Sequence, residues 1–272
     1  MYVDMHIHTE FSDGTYSPEE VAKIAKEKGL TLISVCDHDT IEAYERLRPA
    51  CAAEGITLVQ GVEMSADWAG ITLHILAYSF DPNNPKLLEL LNSTQREFEW
   101  EGLQCIKNLA KDYPQISLDE YSRYKKPAGR GGWNSVNYIY DKGLAKSVFD
   151  AFKFHDTYGT PMKFSNAALV CSTIIQAGGI PVLAHPGNYW RLEELEEKLS
   201  LLLPVGIGGI ECFHPGPRHT DEFNAKCVEF CKAHNLCITC GGDSHGDFAQ
   251  SWRGIGCLKI DSSQLNLTGI LV

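Results

Sequence analysis

The amino-acid sequence predicts an α/β fold in which a sheet or barrel of strands carries helices on its outside. Short apolar runs that end in polar or charged residues alternate with amphipathic segments, which is the pattern of repeated βαβ units. The alternation stops between residues 81 and 165, where the sequence is polar, aromatic and helical in character. We therefore predict a barrel over residues 1–80 and 166–272, with an inserted, mainly helical subdomain over residues 81–165.

The first part of the chain alternates strand and helix. The run YVDMH predicts the first strand, and SPEEVAKIAKEKGL predicts the first helix. Ser17 occupies the N-cap of that helix, Pro18 its first position and Gly29 its end, and these positions favour those residue types. A buried strand follows in TLISVCDHD, and a second helix is predicted near Ile41 to Glu54.

Strands recur on both sides of the insertion. ITLVQGVEMS predicts the third strand, and GITLHILAYSF predicts its hairpin partner or neighbour. After the insertion, NAALVCSTIIQAGGIPVLAHPG predicts a helix, a glycine stop and a strand. Two further strands are predicted in VGIGGIECFHP and NLCITCGGDSH. Each of these last three strands ends in a histidine or an acidic residue, which draws attention to the strand ends.

Composition limits the classes of protein to which the chain can belong. With 272 residues, 44% of them hydrophobic and 22% charged, the chain is expected to form a packed core. A net charge of -11 argues against a broad basic surface that wraps nucleic acid, but it does not exclude a small anionic substrate. No run approaches the ~18 apolar residues of a membrane span, and no signal peptide is evident. We expect a cytoplasmic protein with no membrane partner.

The ten cysteines are expected to be reduced. They are dispersed along the chain, and several lie in apolar runs typical of buried thiols. Cys237 and Cys240 form a CxxC motif inside a predicted buried strand, and no second CxxC completes a zinc set. A redox or zinc role for this motif is the less favoured alternative.

The predicted strand ends share side chains that can ligate metal ions. The nine candidates are His6, His8, Asp13, His38, Glu63, His74, His185, Asp243 and His245. The C-terminal ends of parallel barrel strands form one rim, so these side chains should converge. Singly, each is more typical of a core residue or a helix cap than of a ligand. Together, imidazoles and carboxylates without thiolates favour manganese, iron or zinc in a catalytic site.

Six segments resemble, in order, the motifs of the PHP (polymerase and histidinol phosphatase) family. They are DMHIHTEFSDGTYSPEEV, SVCDHDT, GVEMSA, TLHILAY, AGGIPVLAHPG and GGDSHG. The chain is most similar to the small stand-alone metal-dependent phosphoesterases of that family. This resemblance implies a distorted (β/α)7 barrel that holds three metal ions. From the ligand set we expect two to three divalent transition-metal ions (Mn, Fe or Zn) per chain.

The same resemblance implies how the ligands are shared among three ions. His6, His8 and Asp243 would hold the first ion, and Asp13, His38 and His245 the second. The third ion would be held by His74 and His185, with Glu63 shared between the first and third.

Such a cluster predicts a metal-dependent phosphoric ester hydrolase. Clustered divalent ions activate water and clamp the oxygens of an in-line displacement. No Ser-His-Asp order, nucleophile elbow or P-loop is evident, which favours attack by metal-bound hydroxide. We expect a phosphomonoesterase that acts on a small nucleotide or sugar phosphate, such as a nucleoside 3',5'-bisphosphate. The alternatives are a phosphodiesterase for cyclic phosphates, a 5'-3' exonuclease for short oligonucleotides, and a non-catalytic metal-binding module.

Four further residues are candidates for contact with the substrate. Arg130 aligns with the arginine of a GRPH-like family motif that would hold the substrate phosphate, although Gly131 and Gly132 replace the usual Pro-His. His214 and Arg218, with His219 beside them, follow a predicted strand and could bind an anion or protonate a leaving oxygen.

Overall fold

The computed structural model describes residues 1–248 and 253–271. Within these residues eight strands form one sheet in the order β7-β6-β5-β4-β3-β2-β1-β8. The strands are β1 (Tyr2–Ile7), β2 (Leu30–Val35), β3 (Thr57–Trp68), β4 (Ile71–Tyr78), β5 (Ile180–Leu183), β6 (Gly209–Phe213), β7 (Cys237–Cys240) and β8 (Ile260–Asp261). The sheet curls into a nearly closed barrel, because the Asp243 N–H after β7 donates to the His6 carbonyl of β1 (2.9 Å). The predicted α/β barrel is confirmed.

Two strands depart from a regular parallel barrel. β4 runs antiparallel to both β3 and β5, so the predicted hairpin is confirmed. β8 is a short antiparallel addition to β1, outside the seven strands that the resemblance implied. β3 extends beyond its pairing with β2, and residues 64–74 of β3 and β4 form a two-stranded ribbon. The Asp67 N–H in this ribbon donates to the Ser165 carbonyl (2.8 Å), at the end of the predicted insertion.

Ten α-helices are described alongside the strands. They are α1 (Pro18–Glu27), α2 (Tyr44–Glu54), α3 (Pro85–Leu109), α4 (Leu118–Tyr121), α5 (Asn134–Asp141), α6 (Val148–Ala151), α7 (Lys153–Tyr158), α8 (Ala167–Gln176), α9 (Leu192–Leu202) and α10 (Asp221–His234). α1 begins as predicted, with Ser17 and Glu20 in a capping box. α2 begins at Tyr44, three residues after the predicted start at Ile41. The Asp39 side chain does not cap it, because it accepts hydrogen bonds from Ser65 instead.

The insertion has its own apolar cluster. All residues from 79 to 165 are described, and they contain α3 to α7 and no strand. The start of α3 packs through Leu87 and Leu91 into the layer outside the barrel, whereas its end packs through Ile106 and Leu109 among the insertion's helices. One helix therefore joins the two parts, and the domain boundaries at residues 80 and 166 stay a prediction.

Neither the cysteines nor the helices contradict the sequence analysis. All ten cysteines lie among the described residues as free thiols, and nine of them are buried, including both members of the CxxC motif. No helix in the described part of the chain is long and apolar enough to cross a lipid bilayer.

Candidate metal centre

The barrel brings all nine predicted ligands to one place. His6 lies on β1 and His8 just after it, and the neighbouring strands or the loops after them supply the others. Glu63 and His74 are exceptions to the expected position at strand ends. Because β3 is long and β4 runs in the opposite direction, these two side chains extend into the site from within their strands.

The innermost group consists of His6, His8, Glu63 and Asp243, all buried. The Nε2 atoms of His6 and His8 lie 3.1 Å apart, and Glu63 Oε2 lies 3.2 Å from each. Asp243 Oδ1 is 3.2 Å from His8 Nε2. These atoms all lie within 4.8 Å of one another, an arrangement that could hold one metal ion.

A second group lies on the side that faces the insertion. Asp13 Oδ2 is 3.2 Å from His245 Nε2 and 3.9 Å from His38 Nε2. His8 joins this group through Nδ1, which is 3.6 Å from Asp13 Oδ1. The three residues implied for the second ion are therefore together, with His8 beside them.

Glu63 lies between two sets of histidines. Its Oε1 atom is 2.9 Å from His74 Nδ1 and 3.0 Å from His185 Nε2, whereas its Oε2 atom faces His6 and His8. This is the placement that a bridging carboxylate requires. A third group able to hold an ion combines Glu63 and His74 with His38 rather than His185.

The residues present fit metal ions in their donor chemistry. His8 Nδ1, His38 Nδ1, Glu63 Oε2 and His185 Nδ1 are buried and lack a hydrogen-bond partner. Buried polar atoms in native proteins are almost always paired. Bound ions would give Glu63 Oε2 its missing partner, and imidazole and carboxylate donors suit divalent transition metals.

The electrostatics of the cluster also favour bound positive charge. Burial disfavours the charged form of His8, but the neighbouring carboxylates of Asp243 and Glu63 outweigh it and raise the His8 pKa to about 10. Burial would raise the pKa of Glu63, yet the charges of His6, His74 and His38 hold it well below its usual range. The carboxylates are therefore ionised, and they attract a proton or a metal ion to the histidines.

Glu211, which was not predicted from the sequence, contacts two of the candidate ligands. Its Oε1 is 3.0 Å from His6 Nδ1, and its Oε2 accepts a hydrogen bond from the His185 N–H (2.8 Å). A carboxylate on the far nitrogen of a ligating histidine fixes the tautomer that leaves the other nitrogen free. The available signal was a lone acid inside the apolar run GGIECF.

Asp37 was also missed, and it shapes the loop that carries Asp13. It accepts hydrogen bonds of 2.7 Å from the Thr9 N–H, the Thr9 hydroxyl and the Ser12 hydroxyl. These contacts position the Asp13 loop before any ion binds.

His214 reaches the site, whereas Arg218 and His219 hold a neighbouring turn. His214 Nδ1 accepts from the Gly216 N–H (2.9 Å), so Nε2 carries the proton and faces Asp243 Oδ2 at 3.4 Å. Arg218 donates to the Gly187 carbonyl (3.2 Å), and His219 Nε2 accepts from the Gly187 N–H (3.0 Å).

The Arg130 side chain is paired within the insertion, whereas the side chains of two other cationic residues contact the candidate site. The Arg130 guanidinium pairs with Asp141 and lies 5.6 Å from the centre of the Tyr140 ring. Lys126 donates to the Ser12 carbonyl beside Asp13, and Arg253 donates to Asp243 Oδ2 (2.7 Å). The sequence analysis did not select Lys126 or Arg253, because neither stands in a motif.

Comparison with known proteins identifies a known domain. The PHP domain model matches residues 4–137, which include six of the nine converging side chains. The chain contains a PHP domain. A candidate metal-dependent phosphoesterase from Bifidobacterium adolescentis superposes with a TM-score of 0.82 at 25% identity, covering 96% of this chain and 93% of that one.

Three curated relatives match this PHP protein over nearly their whole length. A 3',5'-nucleoside bisphosphate phosphatase of Chromobacterium violaceum is 29% identical, covering 93% of this chain and 90% of that protein. A 5'-3' exoribonuclease of Haemophilus influenzae is 27% identical, with coverages of 93% and 92%. A phosphoribosyl 1,2-cyclic phosphate 1,2-diphosphodiesterase of Eggerthella lenta is 26% identical, with coverages of 92% and 96%. All three names describe hydrolysis of phosphoric esters.

Proposed function

We propose that this PHP protein is a metal-dependent phosphoesterase, and that it removes a phosphate from a small nucleotide or sugar phosphate such as a nucleoside 3',5'-bisphosphate. The observation that carries the proposal is the placement of Glu63, whose two oxygens face separate histidine groups 2.9 to 3.2 Å away. Clustered divalent ions lower the pKa of water and clamp the attacking and leaving oxygens of an in-line displacement. We assign the nine converging residues as the ligands of two to three such ions.

His214 is suited to donate a proton in this reaction. Because Nδ1 accepts from the Gly216 N–H, the proton of the neutral ring resides on Nε2, which faces the metal centre. There it can orient Asp243 or protonate a leaving oxygen. Lys126 and Arg253 add positive charge where a phosphate would approach.

Arg130 remains a proposed phosphate ligand that must first leave its partner. Its guanidinium would have to exchange its contact with Asp141 for a phosphate, to which an arginine can bind through two parallel hydrogen bonds. Arg218 is better suited to hold the turn after His185, since its Nη1 donates to the Gly187 carbonyl.

The setting of the site fits a small anion in a reducing compartment. The net charge of -11 disfavours long nucleic acids, and the free thiols of nine buried cysteines support the proposed cytoplasmic location. The second candidate is a phosphodiesterase for cyclic phosphates or short oligonucleotides, favoured because two of the three relatives are named for cutting phosphodiesters.

A panel of substrates tests the proposal. Nucleoside bisphosphates, sugar phosphates, cyclic phosphates and short oligonucleotides are incubated with the manganese-loaded protein, and phosphate release and product size are measured. We expect the fastest turnover on a phosphomonoester and loss of activity on chelation. Glu63→Gln serves as the matched inactive variant. Less than one ion per chain by elemental analysis, with activity unaffected by chelator, would overturn the proposal.

A further inference from the structure

The insertion is attached to the loop that carries Asp13. The Gly132 N–H donates to the Asp13 carbonyl (2.8 Å). Lys126 Nζ donates to the Gly132 carbonyl (3.0 Å) and also to the Ser12 carbonyl, so one ammonium joins the two loops. Any side chain just after Gly132 is thereby fixed close to the metal centre.

The turn at Gly131 and Gly132 has no room for other residues. Both have positive φ, +73° and +67°, which L-residues with side chains rarely adopt. A Cβ on Gly131 would lie 2.6 Å from Phe248 Cβ and 3.1 Å from the Asp13 carbonyl oxygen. The Pro-His of the related motif does not fit this conformation, because proline cannot adopt a positive φ. The two glycines therefore allow a backbone turn that the related motif does not form.

The consequence of the turn is the position of Trp133. Its ring centre lies 5.9 Å from that of His38. Phe98 of α3 stacks on Trp133 with centres 4.9 Å apart and planes 13° apart, and Phe164 lies 5.5 Å from Phe98. All three aromatic side chains are only partly buried, although they lie beside the metal centre.

A buried polar chain braces the helix that follows Trp133. His155 Nδ1 is 2.8 Å from Glu101 Oε2, and His155 Nε2 is 3.1 Å from Ser135 Oγ, which links α3, α7 and α5. The order is that of a Ser-His-acid triad, but Ser135 is 3% exposed and lies against Gly102 of α3. An enclosed hydroxyl of this kind cannot receive a substrate, so the chain stabilises the start of α5 and with it the Trp133 ring.

We propose that Trp133 and Phe98 form an aromatic wall that binds the base of a nucleotide, so that the protein prefers base-bearing phosphates to base-free sugar phosphates. Purine and pyrimidine bases all stack on aromatic side chains, because every base has a π-face whatever hydrogen-bonding groups it carries. A ligand whose phosphate lies at the His38 side of the cluster brings its nucleoside into reach of this wall. The inference rests on the proposed function in taking a phosphate ester as the ligand.

Binding measurements test the wall without depending on turnover. Phosphonate analogues of adenosine 5'-monophosphate and ribose 5-phosphate, which cannot be hydrolysed, are titrated by calorimetry into the manganese-loaded chain. We expect the wild type to bind the nucleotide at least about ten-fold more tightly, the order of effect that stacking of one base produces. Trp133→Leu should remove most of that preference while changing the affinity for the ribose 5-phosphate analogue less than about two-fold. Trp133→Phe, which keeps a ring, should retain part of it.

Controls separate recognition from structure. Trp100→Leu changes an exposed tryptophan of α3 and should leave both affinities unchanged. Metal content is measured for each variant, because Trp133 adjoins His38. Equal losses of affinity for both ligands, or a wild type with no preference for the nucleotide, would overturn the inference. A wild type that shows the preference but hydrolyses nothing in the substrate panel would refute the proposed function and leave the wall standing.

Discussion

Replacing Glu211 by glutamine should weaken metal binding without changing the shape of the buried side chain. In the wild type both carboxylate oxygens accept hydrogen bonds, one from His6 Nδ1 at 3.0 Å and one from the His185 N–H at 2.8 Å. Glutamine has one acceptor and one donor in the same positions. In either orientation, therefore, its NH₂ group faces one of these two donors.

The magnitude follows from that mismatch. If the amide faces His6, the imidazole must shift its proton to Nε2, the atom that points at Glu63 and His8. Loss of a carboxylate behind a ligating histidine typically lowers metal affinity by about 10- to 100-fold, or about 1.4 to 2.8 kcal/mol. If the amide instead faces the His185 N–H, an unsatisfied buried donor costs a similar 1–3 kcal/mol, roughly, in folding stability.

The assay measures both quantities. Competition with a chromogenic chelator gives the metal affinity of Glu211→Gln and wild type, and thermal unfolding of the metal-free forms gives their relative stability. Glu222→Gln, which removes one exposed carboxylate from the first turn of α10, is the control for charge. Wild-type metal affinity together with an unchanged Tm in Glu211→Gln would refute the role assigned to this carboxylate.

Three further predictions concern the candidate metal ligands and Arg130 of the insertion. Because the His8 pKa is about 10 in the metal-free protein, metal binding must displace a proton from His8. Metal affinity should therefore rise up to about ten-fold per pH unit between about pH 6 and 9. Calorimetry in buffers of different ionisation enthalpy should show proton release, and its absence would contradict the assignment of His8 as a metal ligand. Glu63→Gln should lose more metal ions than Asp13→Asn in elemental analysis, because the two oxygens of Glu63 face separate groups of histidines. Equal losses of metal would contradict the assignment of Glu63 as a bridging carboxylate. Arg130→Ala should lower kcat/KM by roughly 10²-fold with metal content unchanged. Asp141→Asn, which frees the guanidinium, should not lower kcat/KM. Unchanged kcat/KM in both variants would show that the Arg130–Asp141 pair is structural.

The metal-competent residues could be predicted because their positions depend on local rules. Strand ends meet at one rim, and a spacing of two places His6 and His8 on the same side of β1. The reversed direction of β4 did not disturb this, since a hairpin partner of β3 still delivers His74 beside Glu63. Convergence therefore followed from residue spacing and strand order, although Glu63 and His74 reach the site from within their strands rather than from the strand ends.

The partners of these residues could not be predicted, because they depend on packing between distant segments. Glu211 is a single acidic residue in an apolar strand, and nothing in the neighbouring sequence shows that it contacts His6, 205 residues away. Arg130 stays a prediction as a phosphate ligand, and its pairing with Asp141 inside the insertion could not be foreseen from a cation in a glycine-rich loop. Without strand-helix alternation, the contacts inside the insertion had no pattern from which to be inferred.

The ribbon of β3 and β4 connects the insertion mechanically to the ion cluster. His74 lies on the ribbon, three residues from its tip at Ile71, and the Asp67 N–H on the other strand is tied to Ser165, where the insertion rejoins the barrel. An outward swing of the insertion would therefore pull on β3, the strand paired with the one that carries His74. Departure of a bound product past the insertion and loosening of one edge of the cluster would then be a single motion. In a protein built this way, movement of the insertion and the geometry of the His74 side of the cluster could not be changed independently.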